Sequence, residues 1–272
     1  MLLSSSSSLS SVLALLQRAA RTSAVSTART AAFSSSAASA SDDEQLQAAR
    51  ALLRRAIGER RSVRFFSDAP VSDALLADVL RLTQRAPTSF NTQPYACVLV
   101  RDKAERAKLA DAMLAGNARV VAEAPVVAMM HESGESAAAV QNLPHYLRLF
   151  AGEGHLAGGI RSLIATAVSP LRAVPANVPT IAWAYKQTAF AAATFMFAAE
   201  ASGLATSAME GFDDARLKAA LDIPDRYSIP VVVCCGYPQP EKLRTDSTTP
   251  RLAPTEVFFD GKFGRSSEKL FE

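Results

Sequence analysis

An α/β or α+β sheet domain is what the 272-residue sequence predicts. Three observations carry that reading. Unbroken apolar runs of strand length (YACVLV, APVVAMM and SIPVVVCCGYP) alternate with stretches of helical periodicity, and the composition, 49% hydrophobic, is enough to bury one substantial core.

From Asp42 onward, Leu46, Ala49, Leu52, Leu53, Ala56 and Ile57 recur at helical spacing, and Gly58 closes the pattern. After the turn SDAPVS, Ser72 is placed to cap a helix DALLADVLRLTQRA, which Pro87 ends. YACVLV follows as a buried strand. Lys103 to Ala115 is the next helix, closed by Gly116, and Ala124 to Met130 is a second buried strand. Between Glu132 and Pro179 the periodicity fades; an irregular excursion of that length inside a compact domain suits a lid or binding loop, an insertion at about 132–180. The helix IAWAYKQTAFAAATFMFAAEASG is apolar on nearly every face, which predicts a central buried helix ended by Gly203. ATSAMEGF, the helix DDARLKAAL and the strand SIPVVVCCGYP follow, and the tail from Gln239 is Pro-rich and charged and runs to EVFFDGKFG.

Residues 1–41 carry Arg18, Arg21 and Arg29 among many Ser and Ala, with no acidic residue before Asp42. That is the composition of an organelle transit peptide. The segment RTAAFSS resembles a mitochondrial processing site, with a chloroplast as the second possible destination; a secretory signal is disfavoured because the arginines follow the short apolar run. The remainder, 42–272, reads as one domain. No apolar run approaches the roughly 20 residues that span a bilayer, so the mature chain is expected to be soluble. A formal net charge of +3 that includes this leader gives no reason to expect nucleic acid. Cys97, Cys234 and Cys235 lie in apolar runs without metal-ligand spacing and read as buried small hydrophobes; His131, His145 and His155 are scattered, so no metal is expected.

Four clusters put polar groups at the ends of apolar elements. In RRSVR, Arg60, Arg61, Ser62 and Arg64 suit a phosphate dianion, or form a solvated basic helix end. The rigid turn containing Pro87, Thr88, Ser89, Asn91 and Gln93 can bind the edge of a planar heterocycle, or satisfy its own backbone. In MEGF, Gly211 lets the backbone approach a ligand beside a helix N-terminus, or simply begins that helix. In TPRLAP, Arg251 is a second phosphate clamp or a surface side chain. No glycine-rich phosphate loop is present, which disfavours a dinucleotide or P-loop domain.

In this order, RRSVRFF, APTSFNTQPYACVLV, the stretch from WAYKQ through MEGFDDARLKAAL, and PRLAPTEV resemble the nitroreductase family of FMN-dependent oxidoreductases over about Ala56 to Gly264, the oxygen-insensitive bacterial NAD(P)H nitroreductases in particular. The resemblance implies a three-layer α+β sandwich with a mixed, mainly antiparallel central sheet flanked by helices, and a C-terminal arm exchanged between the subunits of a homodimer. By the same resemblance, Arg60, Arg61, Ser62 and Arg64 hold the FMN phosphate, ribityl chain and pyrimidine end, and Arg251 completes the phosphate clamp. The turn Pro87, Thr88, Ser89, Asn91 and Gln93 reaches the flavin bound mainly by the other subunit, and Phe90 makes the substrate pocket more apolar. Glu210 and Gly211 lie over the isoalloxazine, with the Gly211 N–H toward N5. No side chain is a catalytic acid or base; NAD(P)H donates hydride and a nitroaromatic, quinone or similar acceptor collects it in a ping-pong cycle.

Two departures from the family pattern stand out. Thr249 occupies a position where the bacterial relatives carry Lys, with Lys242 or Arg244 as substitutes, and the segment after AGNARVVAEAPVV is shorter, with Asn117 a candidate flavin contact. A deiodinase-type dehalogenase would need a Glu, Tyr and Lys set in the lid; Glu153 and Tyr146 are there but Lys is not. A flavin-consuming branch that makes dimethylbenzimidazole, a flavin-storage protein without turnover, and an unrelated structural α/β protein also stay open.

Overall fold

A computed structural model describes residues 40–89, 93–133, 180–243 and 249–272. Most of the transit peptide and of the lid-like insertion, together with Phe90, Asn91 and Arg244, lie outside the described residues. The chain divides into two compact units, Met1–Pro238 and Gln239–Glu272.

In the first unit, helix α1 spans Ala40–Gly58. Of its expected apolar face only Ala56 is buried; Leu46, Leu52, Leu53 and Ile57 stay about half exposed, so among the described residues this stripe has little cover. Helix α2, Asp73–Thr83, begins as expected, with the Ser72 hydroxyl accepting the Leu75 N–H at 3.3 Å. Its buried stripe is Leu76, Val79 and Thr83. The helix stops short of Pro87 because the chain tightens first into turns, Arg85 N–H to Leu82 and Ala86 N–H to Thr83.

Strands β1 (Tyr95–Val100), β2 (Val126–Ser133), β3 (Ala205–Met209) and β4 (Tyr227–Gly236) form one sheet in the order β1-β2-β4-β3, every neighbouring pair antiparallel. The continuous apolar runs are the two central strands: Val126 to Met130 and Val232 to Cys235 are at most 1% exposed. YACVLV, expected to be buried, is an edge strand among the described residues, in which only Val100 is fully covered, β2 flanking it on one side. Cys234 and Cys235 are buried as expected, whereas Cys97 on that edge is partly exposed. β2 runs to Ser133, so the first residues of the irregular segment belong to the sheet.

The expected helix from Lys103 to Ala115 ends early, at Ala110, as α3 (Lys103–Ala110), and a further helix that the sequence pattern does not predict, α4 (Asn117–Glu123), follows it. The break is made by tertiary pairing. Leu114 N–H donates to the Gly211 carbonyl, Asp213 N–H to the Ala112 carbonyl, and Met113 bridges Phe212. These bonds draw residues 111–114 out of helical geometry. Ala115 takes the left-handed conformation, φ +51, while Gly116 has φ −68 and stands at the start of α4 instead of closing the helix before it.

Helix α5, Thr180–Ala201, lies on one face of the sheet, where Ala192, Phe195 and Ala199 pack with Val126, Ala128, Met130, Val233 and Cys235. The intervening Val127, Met129 and Cys234 point to the opposite face and are equally buried. The helix ends as its glycine predicts: Gly203 takes φ +76 and Leu204 N–H reaches back to the Ala199 carbonyl at 2.9 Å. It is not buried all round, since Tyr185 and Phe190 are exposed. Helix α6, Asp214–Ala220, follows β3, with the Asp213 carboxylate capping the Arg216 N–H at 3.1 Å.

In the second unit, helix α7 spans Pro254–Val257, its start tied by the Ala253 N–H to the Glu256 carboxylate at 2.7 Å. Gly261 and Gly264, both at positive φ, shape the turn that brings Phe259 against Phe263, ring centroids 4.8 Å apart and planes tilted by 56°. Leu252, Phe258, Phe263, Leu270 and Phe271 are exposed.

Candidate functional site

The segment RRSVR crosses the sheet where β3 begins and β4 ends. Ser62 bridges Thr206, Val63 N–H donates to the Thr206 carbonyl at 2.9 Å, and Ser67 N–H reaches the Tyr237 carbonyl, also at 2.9 Å. Val63 and Phe66 are buried, which leaves the alternate residues of the extended chain outward: Ser62 and Arg64 are exposed, Arg60 and Arg61 half-buried. Glu200, near the end of α5, lies close enough to feel the arginines: burial pushes its carboxyl up, against the pull of Arg60 and Arg61.

Glu210 and Gly211 follow the far end of β3, four and five residues beyond Thr206, a span of about 13–17 Å along the strand direction. Glu210 is exposed and Gly211 half-buried. The Gly211 carbonyl is held from two sides, by the Leu114 N–H at 3.0 Å and by the Asn117 side-chain amide at 3.1 Å. A Cβ on Gly211 would meet the Asn117 Nδ2 at 2.9 Å, so the amide at the end of that side chain would have to shift. Among the described residues no acceptor takes the Gly211 N–H itself. The result is a bare backbone donor fixed by its neighbouring carbonyl, just beyond the end of β3, the strand whose start the arginine-rich segment bridges. Guanidinium groups at one end and an unspent N–H at the other fit an elongated ligand with an anionic tail and a ring bearing an acceptor, and FMN meets that description.

The turn before β1 is built largely by its own side chains. The Thr88 hydroxyl accepts the Gln93 N–H at 3.1 Å, and the Ser89 N–H donates to the Gln187 Oε1 of α5 at 2.8 Å. Gln187 is 1% exposed, and Gln93 takes φ +47, a conformation costly for any residue but glycine. Pro87 is exposed, Thr88 and Ser89 half-buried. Just after the turn, burial raises the Tyr95 hydroxyl pKa, and among the described residues that oxygen has no hydrogen-bond partner. Tyr95 pairs with Glu132 and Met209 with Val232, so the turn and Gly211 face the same end of the sheet. They sit on its opposite edges, three strand spacings or about 14 Å apart.

The site residues expected from the sequence therefore fall into three places. Arg60, Arg61, Ser62, Arg64, Glu210 and Gly211 share the β3 edge. Pro87, Thr88, Ser89 and Gln93 stand at the β1 edge. Arg251 belongs to the second unit, where it is exposed and its Nη1 donates to the carbonyls of Thr249 and Pro250 at 3.2 and 3.1 Å. The structure adds two residues whose part is positional. Asn117, expected as a ligand contact, holds Gly211, and Gln187, legible only as part of the WAYKQ motif, anchors the β1 turn.

A family model described as the nitroreductase family matches residues 57–237. A protein of Thermus thermophilus named NADH dehydrogenase is 34% identical over 183 residues, 67% of this chain and 85% of the relative. A Streptomyces griseus protein, whose name couples NADH dehydrogenase with NAD(P)H nitroreductase, is 31% identical over 205 residues, 73% of this chain and 90% of its own. Among solved structures, a nitroreductase family protein from Streptococcus pneumoniae TIGR4 superposes with a TM-score of 0.62 at 20% identity, covering 76% of this chain and 96% of that one. A protein of Exiguobacterium sibiricum 255-15 solved in complex with FMN gives 0.61 at 18% identity, covering 76% and 95%. At these identities the two structures speak for the shared fold.

Proposed function

The chain belongs to the nitroreductase family, and from that premise we propose that it is an FMN-dependent NAD(P)H oxidoreductase acting on nitroaromatics, quinones or similar electron-poor acceptors by a ping-pong cycle. The observation that carries this reading is the Gly211 N–H, held by the Asn117 and Leu114 bonds to its neighbouring carbonyl and left without an acceptor among the described residues. The name of the Streptomyces griseus relative and the FMN complex of the Exiguobacterium sibiricum structure support the same cofactor and donor.

Bound FMN supplies two-electron hydride chemistry at its N5. What the chain contributes is binding and orientation. Arg60, Arg61 and Arg64 neutralise the phosphate, each charge-assisted bond contributing about 1.5–3 kcal/mol, and Ser62 adds a hydroxyl. The Gly211 N–H would be the donor to the ring, and Asn117, by holding the next carbonyl, would keep that donor in place. No side chain of the site would be needed as a catalytic acid or base, so the part of these residues would be to hold and orient the cofactor.

We further propose that the working unit is a homodimer in which the β1 turn, with Asn91 and Phe90, completes the site of the partner. Its position at the sheet edge opposite Gly211 supports this, as do the exposed Leu52, Leu53 and Ile57 of α1. The exposed aromatic residues of the second unit suit an arm that wraps another copy. Residues 1–41 we read as a mitochondrial targeting segment, which a fluorescent-protein fusion of that segment would test in cells.

The test of function is the visible spectrum of the purified protein from Asp42 onward, before and after anaerobic NADPH. Flavin bands that bleach, and recover repeatedly when a quinone is added, support the proposal. Bleaching once without turnover means flavin storage, and a colourless protein that FMN cannot reconstitute overturns the assignment. Sedimentation of a monomer that holds FMN tightly would overturn the shared site.

A further inference from the structure

Residues 112–114 and 211–213 run antiparallel, with Met113 opposite Phe212. The bonds from Leu114 N–H to the Gly211 carbonyl and from Asp213 N–H to the Ala112 carbonyl flank that pair, which itself exchanges none. In a regular ladder the pairs on either side, Leu114 with Gly211 and Ala112 with Asp213, would each exchange two bonds, yet each makes only one. Of the four groups this releases, three find other partners. Ala112 N–H donates to the Leu109 carbonyl at 3.0 Å, the Asp213 carbonyl accepts Leu217 N–H at 3.0 Å, and the Leu114 carbonyl accepts Asn117 N–H at 3.2 Å. Among the described residues the Gly211 N–H alone is left without an acceptor.

The ladder acceptor of that N–H is the Leu114 carbonyl, and a turn keeps it away. In the turn from Leu114 to Asn117, Ala115 has φ +51 and Gly116 has φ −68 and ψ −8, the signs of type II′. Type II′ favours glycine at its second residue, where φ is positive; here the glycine comes one position later, and Ala115 carries the strain. Such a conformation persists where its surroundings over-determine it. The Leu114 N–H and the Asn117 amide do so, gripping the Gly211 carbonyl from both sides of Ala115.

We propose that Ala115 is a positioning residue: its strained turn commits the Leu114 carbonyl to Asn117 N–H and so withholds it from the Gly211 N–H, which stays free for a ligand. That the ligand is the flavin ring rests on the function proposed above; the withholding does not. With φ at residue 115 returned to negative values, the turn opens and the Leu114 carbonyl completes the ladder on Gly211.

Amide hydrogen exchange reads this arrangement directly in the full chain, isotope-labelled at glycine and leucine and stripped of any flavin, with the Gly211 signal identified by its loss in Gly211→Ala. In the wild type, Gly211 N–H is expected to exchange about tenfold or more faster than the bonded Leu114 N–H. Ala115→Gly, which suits positive φ, should keep Gly211 exchange fast and raise the urea midpoint. Ala115→Val, whose branched side chain opposes positive φ, should slow Gly211 exchange about tenfold or more and weaken FMN binding about two- to tenfold, since FMN must then displace the Leu114 carbonyl. A protected Gly211 in the flavin-free wild type, a lower midpoint in Ala115→Gly, or a folded Ala115→Val with Gly211 still exchanging fast would each overturn the inference, and the first two decide it even where Ala115→Val does not fold. Fast Gly211 exchange that added FMN leaves unprotected would instead overturn the flavin assignment and support the role of the turn.

Discussion

The Asn117 side-chain amide donates to the Gly211 carbonyl across 94 residues of sequence at 3.1 Å, and together with the Leu114 N–H it fixes the peptide that follows the Gly211 N–H. Removing the amide by Asn117→Ala costs one neutral hydrogen bond, about 0.5–1.5 kcal/mol. The expected outcome is a two- to tenfold slower flavin reduction in stopped-flow with FMN affinity little changed. Gly211→Ala pushes the same amide away, since its Cβ would stand 2.9 Å from Nδ2. The double variant should then be no worse than the poorer single one, and strict additivity of the two effects would refute the coupling.

Arg60 and Arg251 test the phosphate assignment separately from the ring. Arg60→Ala should weaken FMN binding by about 1.5–3 kcal/mol, read as FMN retained through gel filtration, and Arg251→Ala should do the same if Arg251 belongs to the phosphate clamp as the family resemblance implies. Full occupancy in both variants would sink the assignment.

Gly236 separates stability from function. An added Cβ would meet the rigid ring of Pro125 at 2.5 and 2.9 Å, so neither side can give way cheaply. Gly236→Ala is expected to destabilise the chain by about 1–3 kcal/mol in urea, with unchanged activity per folded molecule.

Gln187→Leu removes the 2.8 Å bond that the Ser89 N–H makes to Gln187 Oε1 in a half-buried turn. The expectation is a loss of about 1–3 kcal/mol and, if the turn serves the partner's flavin, weaker dimerisation by sedimentation.

The cysteines set an alkaline limit. Burial pushes Cys97 and Cys235 up to about 12 from 9.0, and Cys234 upward as well. Unfolded thiols ionise near 9 while the folded ones keep their protons, so the unfolded chain holds fewer protons in that window. Stability is therefore complete below about pH 9 and falls as pH rises toward 12. Urea midpoints should decline over that range, with a smaller decline in Cys235→Ala, and native thiols should react slowly with disulfide reagents at neutral pH.

Much of this architecture is legible in local sequence because its causes are local. Ser72 and Gly203 act through bonds to residues three to five positions away, and the apolar runs of β2 and β4 mark strands covered on both faces. The motifs RRSVR, MEGF and the Thr88 turn are likewise visible as polar groups at element ends. What the sequence could not determine was decided by pairings between distant segments. Residues 111–114 have helical propensity, yet bonds to Gly211 and Asp213 outweigh it and end the helix at Ala110. YACVLV has the composition of a buried strand, but strand order put it at an edge. Asn117 and Gln187 became positioning residues only because folding closed loops of 94 and 98 residues, and no local pattern records which amide will meet which backbone group.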